Sequence, residues 1–95
     1  MMVAAAITRD SVPVLRRGVR RQFDRTRNCA ILMAPERVIV LDEIADAIIE
    51  SFKPAATVSD IAAGLATRFR APAQEIEEDV IAFIRELNDK GLIVL

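Results

Sequence analysis

The chain contains no histidine, no tryptophan and no tyrosine, and its single cysteine is Cys29. Without histidine it lacks the side chain most used for proton transfer near neutral pH and the commonest metal ligand. One thiol can form neither an intrachain disulfide nor a thiolate cluster for a metal. These absences argue against catalysis by this chain alone and against a metal held by thiolates or imidazoles, and the lone cysteine fits a reducing cytoplasm. The missing Tyr and Trp also weaken stacking on single-stranded bases, although four Phe remain. No apolar run is long enough to span a membrane. Met1–Ile7 lacks the basic start of a signal peptide, and Leu92–Leu95 is too short to anchor and is expected to pack on the core or form a last strand.

What is present is one small domain's worth of sequence, 95 residues of which 53% are apolar. That length supports a single core and no deep, enclosed active site. The apolar content implies surface that a partner or a second copy would cover, or reflects the many alanines. The net charge of −1 conceals a division. Residues 1–37 hold eight Arg against Asp10, Asp24 and Glu36, a local +5, whereas residues 38–95 hold five basic and eleven acidic side chains, a local −6.

Residues 1–12 read as a loose N-terminal tail, and residues 13–95 as the domain. Val19–Phe23 alternates, placing Val19, Arg21 and Phe23 on one face, and predicts a first strand. The polar Asp24–Asn28 suits a hairpin connection, and Cys29–Met33 the antiparallel partner. Pro35 then turns the chain into a third strand, Arg37–Leu41. Three helices follow. Asp42 is a ready N-cap for the first, whose stripe is Ile44, Ile48, Ile49 and Phe52 and which Pro54 stops. Thr57 with Asp60 resembles a capping box for the second, with Val58, Ile61, Ala62, Leu65 and Phe69 inward and Gly64 suggesting a close helix crossing. Pro72 suits the first turn of the third, with Ile76, Val80, Phe83, Ile84 and Leu87 as its stripe and Gly91 as its end. The predicted fold is α+β and winged helix-turn-helix-like: a three-stranded antiparallel sheet followed by a three-helix bundle.

The most informative stretch runs from Leu32 to Glu43: an apolar run, a Pro-Glu-Arg turn, branched residues and an acidic helix start. Val38, Ile39 and Val40 form a strand that would look the same buried on both faces or lying at a sheet edge. At an edge, its unpaired backbone groups would accept a peptide strand.

From about Pro13 to Leu92 the chain resembles the PqqD family of pyrroloquinoline quinone (PQQ) biosynthesis. The segments that carry the likeness are Arg17–Asp24, Leu32–Val38, Leu41-Asp42-Glu43 and Asp89–Ile93. The resemblance implies a peptide chaperone, the founding type of recognition domain for ribosomally made, modified peptides. Such a protein carries no cofactor, binds the precursor peptide PqqA and presents it to the radical S-adenosylmethionine enzyme PqqE, which cross-links a Glu and a Tyr. In the family's fold the peptide adds to the edge of the third strand and lies against the third helix. Carried over, the docking edge is Pro35, Glu36, Arg37, Val38, Ile39, Val40 and Leu41, and the groove wall is Ile76, Asp79, Val80 and Phe83. Where this chain has Asn28-Cys29-Ala30, family members often carry Gly or an aromatic residue.

Helical spacing cannot separate groove from core on the third helix, so each apolar member there also reads as core. The basic segment Arg16, Arg17, Arg20, Arg21, Arg25 and Arg27 suits acidic groups on a partner or, equally, a solvated surface. A winged-helix DNA-binding regulator is the rival from another class. Against it, Ala73–Lys90 holds six acids and two bases, with the acids crowding the turns that would approach phosphates. A dimerisation module is the other rival, since a free edge also accepts a second copy, with strand exchange through residues 24–36.

Overall fold

The computed structural model describes residues 7–95. Strand β2 (Arg20–Asp24), β3 (Cys29–Ala34) and β4 (Arg37–Val40) form an antiparallel sheet in the order β2-β3-β4, as the sequence predicts. Helices α1 (Glu43–Glu50), α2 (Val58–Phe69) and α3 (Ala73–Asp89) follow. A second, two-stranded ladder joins β1 (Val14–Leu15) to β5 (Ile93–Val94), so the expected C-terminal strand finds an unanticipated partner beside the first residues of the domain.

Alternation sets which face of the sheet meets the helices. Ala30 and Leu32 of β3 are buried in the core, and the residues opposite them are Phe23 and Leu41, and Arg21 and Ile39. Arg21 therefore points to the helical side and makes a bidentate pair with Asp46 of α1, its Nη2 lying 2.9 Å from Oδ2. That bond holds the Arg21 guanidinium firmly protonated and ties β2 to α1. At the β2–β3 turn, Asp24 Oδ1 accepts the Thr26 and Arg27 N–H groups, and the Arg27 guanidinium lies against Oδ2. These bonds hold the Asp24 carboxyl below the usual carboxylate range. Asn28 closes the turn at φ 55°, a left-handed position that Asn tolerates and that a glycine would fill.

Each helix uses the stop and start signals its sequence offers. The Asp42 carboxylate accepts the Ala45 N–H at 2.8 Å, and α1 ends at Glu50, ahead of the residue that Pro54 would force out of helical geometry. At the start of α2 the Thr57 hydroxyl accepts the Asp60 N–H, while the carbonyls of Ser11 and Arg9 accept the Val58 and Ser59 N–H groups. Three otherwise orphaned amides are thereby satisfied. Of the expected tail, residues 1–6 lie outside the described residues, and Arg9 and Ser11 are hydrogen-bonded to the domain. Helix α3 packs chiefly on α2, burying Ile76, Val80, Ile84 and Leu87 on one stripe. It ends in a Schellman motif: Leu92 N–H donates to the Leu87 carbonyl and Gly91 N–H to the Asn88 carbonyl, with Gly91 at φ 71°.

Gly64 does not mark a close helix crossing. A Cβ built there meets nothing within 4 Å, and the position is exposed. The residue only weakens α2, so Gly64→Ala is expected to raise stability by about 0.5–1 kcal/mol, read as a higher urea midpoint at unchanged slope.

Candidate functional site

Strand β4 lies at an edge of the sheet, and one hydrogen bond fixes which of its backbone groups are free. Leu41 N–H donates to the Ala30 carbonyl at 3.0 Å, inward to β3. In an antiparallel pair the N–H and C=O of one residue point the same way, and direction alternates along the strand. With the register Leu32↔Ile39 and Ala34↔Arg37, residues 37, 39 and 41 spend their polar groups on β3. Val38 and Val40 turn theirs outward. Two residues thus offer donor and acceptor pairs about 7 Å apart, the repeat an added strand requires.

The side chains divide by the same alternation. Val38 and Val40 lie on the face away from the helices and are 47% and 58% exposed. Ile39 is half-buried against the core. Beyond the end of β4, Asp42, Ile44, Ala45 and Ile48 of the α1 region face Asp79 and Phe83 of α3 across a groove of about 300 Å³. At the other end, Pro35, Glu36 and Arg37 share a second depression, of about 240 Å³, with Arg16, Arg17 and Lys90. Helix α3 therefore passes β4 in the opposite direction, with Asp79 and Phe83 by Asp42 and Lys90 by Glu36.

Several expected site residues fall elsewhere. Leu41 is 4% exposed and a core residue, its amide spent on β3, so the free edge ends at Val40. Ile76 and Val80 are 5% and 0% exposed and form the packing stripe of α3, where they hold the helix without lining the groove. Asp79 and Phe83 do line it, and Pro35, Glu36 and Arg37 lie at the opposite end. Ile44, read from the sequence as core stripe, is half-buried in the groove. Its signal was present, since it follows the edge strand directly. Arg21 is engaged with Asp46, whereas Arg16, Arg17, Arg20 and Arg37 make no ion pair among the described residues. Among those residues no group of His, Cys, Asp and Glu is arranged to hold a metal ion, and no helix is long and apolar enough to cross a membrane.

Residues 29–93 match the family Coenzyme PQQ synthesis protein D (PqqD). The chain is 46% identical over 91 residues to the PqqA binding protein of Xanthomonas campestris pv. campestris, covering 96% of this chain and 99% of that one. It is 47% identical, with the same coverage, to the PqqA binding protein of Xanthomonas oryzae pv. oryzae. Among solved structures it superposes with a TM-score of 0.85 on the solution structure of the PqqD part of Methylobacterium extorquens PqqCD, a functional, stand-alone recognition element for ribosomally synthesized and post-translationally modified peptides. That match is 37% identical and covers 95% of this chain and 96% of the other. A crystal structure of PqqD from X. campestris is 46% identical over 94% of this chain and 99% of its own, with a TM-score of 0.60.

Proposed function

The chain belongs to the PqqD family, and we propose that it is a non-catalytic, cytoplasmic binding module that takes the precursor peptide PqqA as an added strand on β4 and presents it to the radical S-adenosylmethionine enzyme PqqE. The observation that carries the reading is the free edge at Val38 and Val40, with the groove between Asp42, Ile44, Asp79 and Phe83 starting two residues beyond its end. Main-chain pairing supplies register without reading sequence, and the half-buried Phe83 and Ile44 supply an apolar surface for alternate peptide side chains. Presentation then requires only that the peptide's modified segment extend past the edge. The relatives' names support the PqqA half of this reading; the PqqE half rests on the family resemblance.

The test is a nitrogen-edited NMR titration of the protein with PqqA, with the oligomeric state measured in the same buffer. Perturbations are expected at Val38, Val40 and their neighbours and along the Asp79–Phe83 face of α3. A folded protein whose spectrum does not respond would remove the proposal. Shifts on β4 that grow with protein concentration alone would instead assign the edge to a second copy by strand exchange.

A further inference from the structure

The depression at the start of β4 is a built basic site, and the docking edge leads directly into it. Arg16 and Arg17 sit in a tight turn closed by the Val19 N–H donating to the Arg16 carbonyl at 3.0 Å. Gly18 makes that turn possible: it holds φ 87°, and a Cβ there would reach 3.7 Å from the Pro35 ring. The Arg16 N–H donates to the Leu92 carbonyl at 2.9 Å, which fixes the turn beside the end of α3. Arg37 and half-buried Lys90 complete the lining. The acids nearby are Glu36, in the lining itself, and Glu86, which pairs with Lys90 at 2.7 Å. Arg16, Arg17 and Arg37 have no ion-pair partner among the described residues, so the site keeps a net positive charge. The opposite end of the edge carries Asp42 and Asp79. The edge thus has an acidic and a basic end.

We propose that the Arg16–Arg17–Arg37 depression binds a carboxylate of the docked peptide, and that this contact sets the direction in which the peptide runs. The proposal rests on strand addition at β4. Every pairing in the sheet is antiparallel, and an antiparallel guest leaves the β4 edge at its Arg37 end with its own C-terminal part. From the residue opposite Val38, two to four extended residues span about 7–14 Å, enough to bring an acidic side chain over the guanidinium groups. The ligand class is therefore an acidic residue just C-terminal to the paired segment. A guest running the other way would bring that acid to Asp42 and Asp79, where like charges repel it.

The experiment uses the full chain and PqqA. In the double variant Arg16→Glu and Arg37→Glu, affinity for PqqA is expected to fall about tenfold at low ionic strength and less at high salt. A PqqA peptide with its acids C-terminal to the paired segment changed to Lys should bind this variant better than it binds the unaltered protein. A nitroxide at that end of the peptide should broaden Glu36 and Gly91 and spare Asp42–Ala45. If the variant proves unfolded by its NMR spectrum, Arg37→Gln gives the same readout with a smaller loss. Unchanged affinity in a folded variant, with Val38→Pro still abolishing binding, overturns the carboxylate site and leaves strand addition standing. Unchanged affinity in both overturns strand addition as well. Broadening at Asp42–Ala45 reverses the assigned direction.

Discussion

Replacing Val38 with proline is expected to weaken PqqA binding at least tenfold while leaving the domain folded, measured by titrating labelled peptide and by thermal unfolding in parallel. The substitution removes an N–H that faces away from β3 and puts the proline ring where the incoming strand must approach. The lost hydrogen bond alone is worth about 0.5–1.5 kcal/mol, and the steric exclusion of the guest adds to it, against about 1.4 kcal/mol for a tenfold change. The domain keeps its own pairing because the Val38 amide contributes nothing to it, and half the side chain is already in solvent. Ile39→Pro is the informative contrast. Read from the sequence alone, Ile39→Pro is the substitution expected to abolish peptide binding if that N–H faces outward, but the N–H points into the sheet toward Leu32. There proline would leave the Leu32 carbonyl unpaired at a buried position, at a cost of about 1–3 kcal/mol, and push its ring into β3. The expected result is loss of stability first and of binding only as a consequence. If the two variants behaved alike, the phase of the ladder assigned from Leu41 would be overturned.

That contrast shows where sequence reasoning reached and where it stopped. Element order, the caps at Asp42 and Thr57 and the end of α3 at Gly91 were all legible, because each depends on a residue type at a fixed local spacing. The phase of the β4 ladder was not, because it depends on which amide meets Ala30 across the sheet, and hydropathy is blind to backbone direction. Hydropathy alone favours the buried reading of Val38–Val40, yet the strand lies at an edge, for the same reason: strand order is a non-local fact. On α3 the apolar stripe is legible, but its division into buried Ile76, Val80, Ile84 and Leu87 and groove-lining Phe83 needs the position of α1. The basic segment was visible as a run of arginines, yet nothing local says that Arg21 is spent on Asp46 while Arg16 and Arg17 are gathered beside Pro35 by the Gly18 turn. Segments far apart in sequence, around Arg17, Pro35 and Lys90, meet at one end of the edge strand only once the chain is folded.

Adjacent residues of α3 should therefore fail in opposite ways. Ile84 is fully buried among the helices, and Ile84→Ala is expected to cost about 2–5 kcal/mol through lost transfer energy and the cavity left behind. For a domain of this length, with about 5–14 kcal/mol in all, that is a large share and should appear as a marked drop in melting temperature. Phe83, one position earlier, turns partly out of the core into the groove beside Asp42 and Ile44. Phe83→Ala removes an apolar wall that the guest peptide covers, so its larger effect should be on affinity, about tenfold or more, with a smaller loss of stability because its exposed part has less burial to lose. Measuring both quantities for both variants separates the two duties of one helix. Equal losses of affinity from Ile84→Ala and Phe83→Ala, each in proportion to unfolding, would mean that α3 supports the edge without touching the peptide, and the binding surface would then be confined to Val38 and Val40 and the outer face of the sheet.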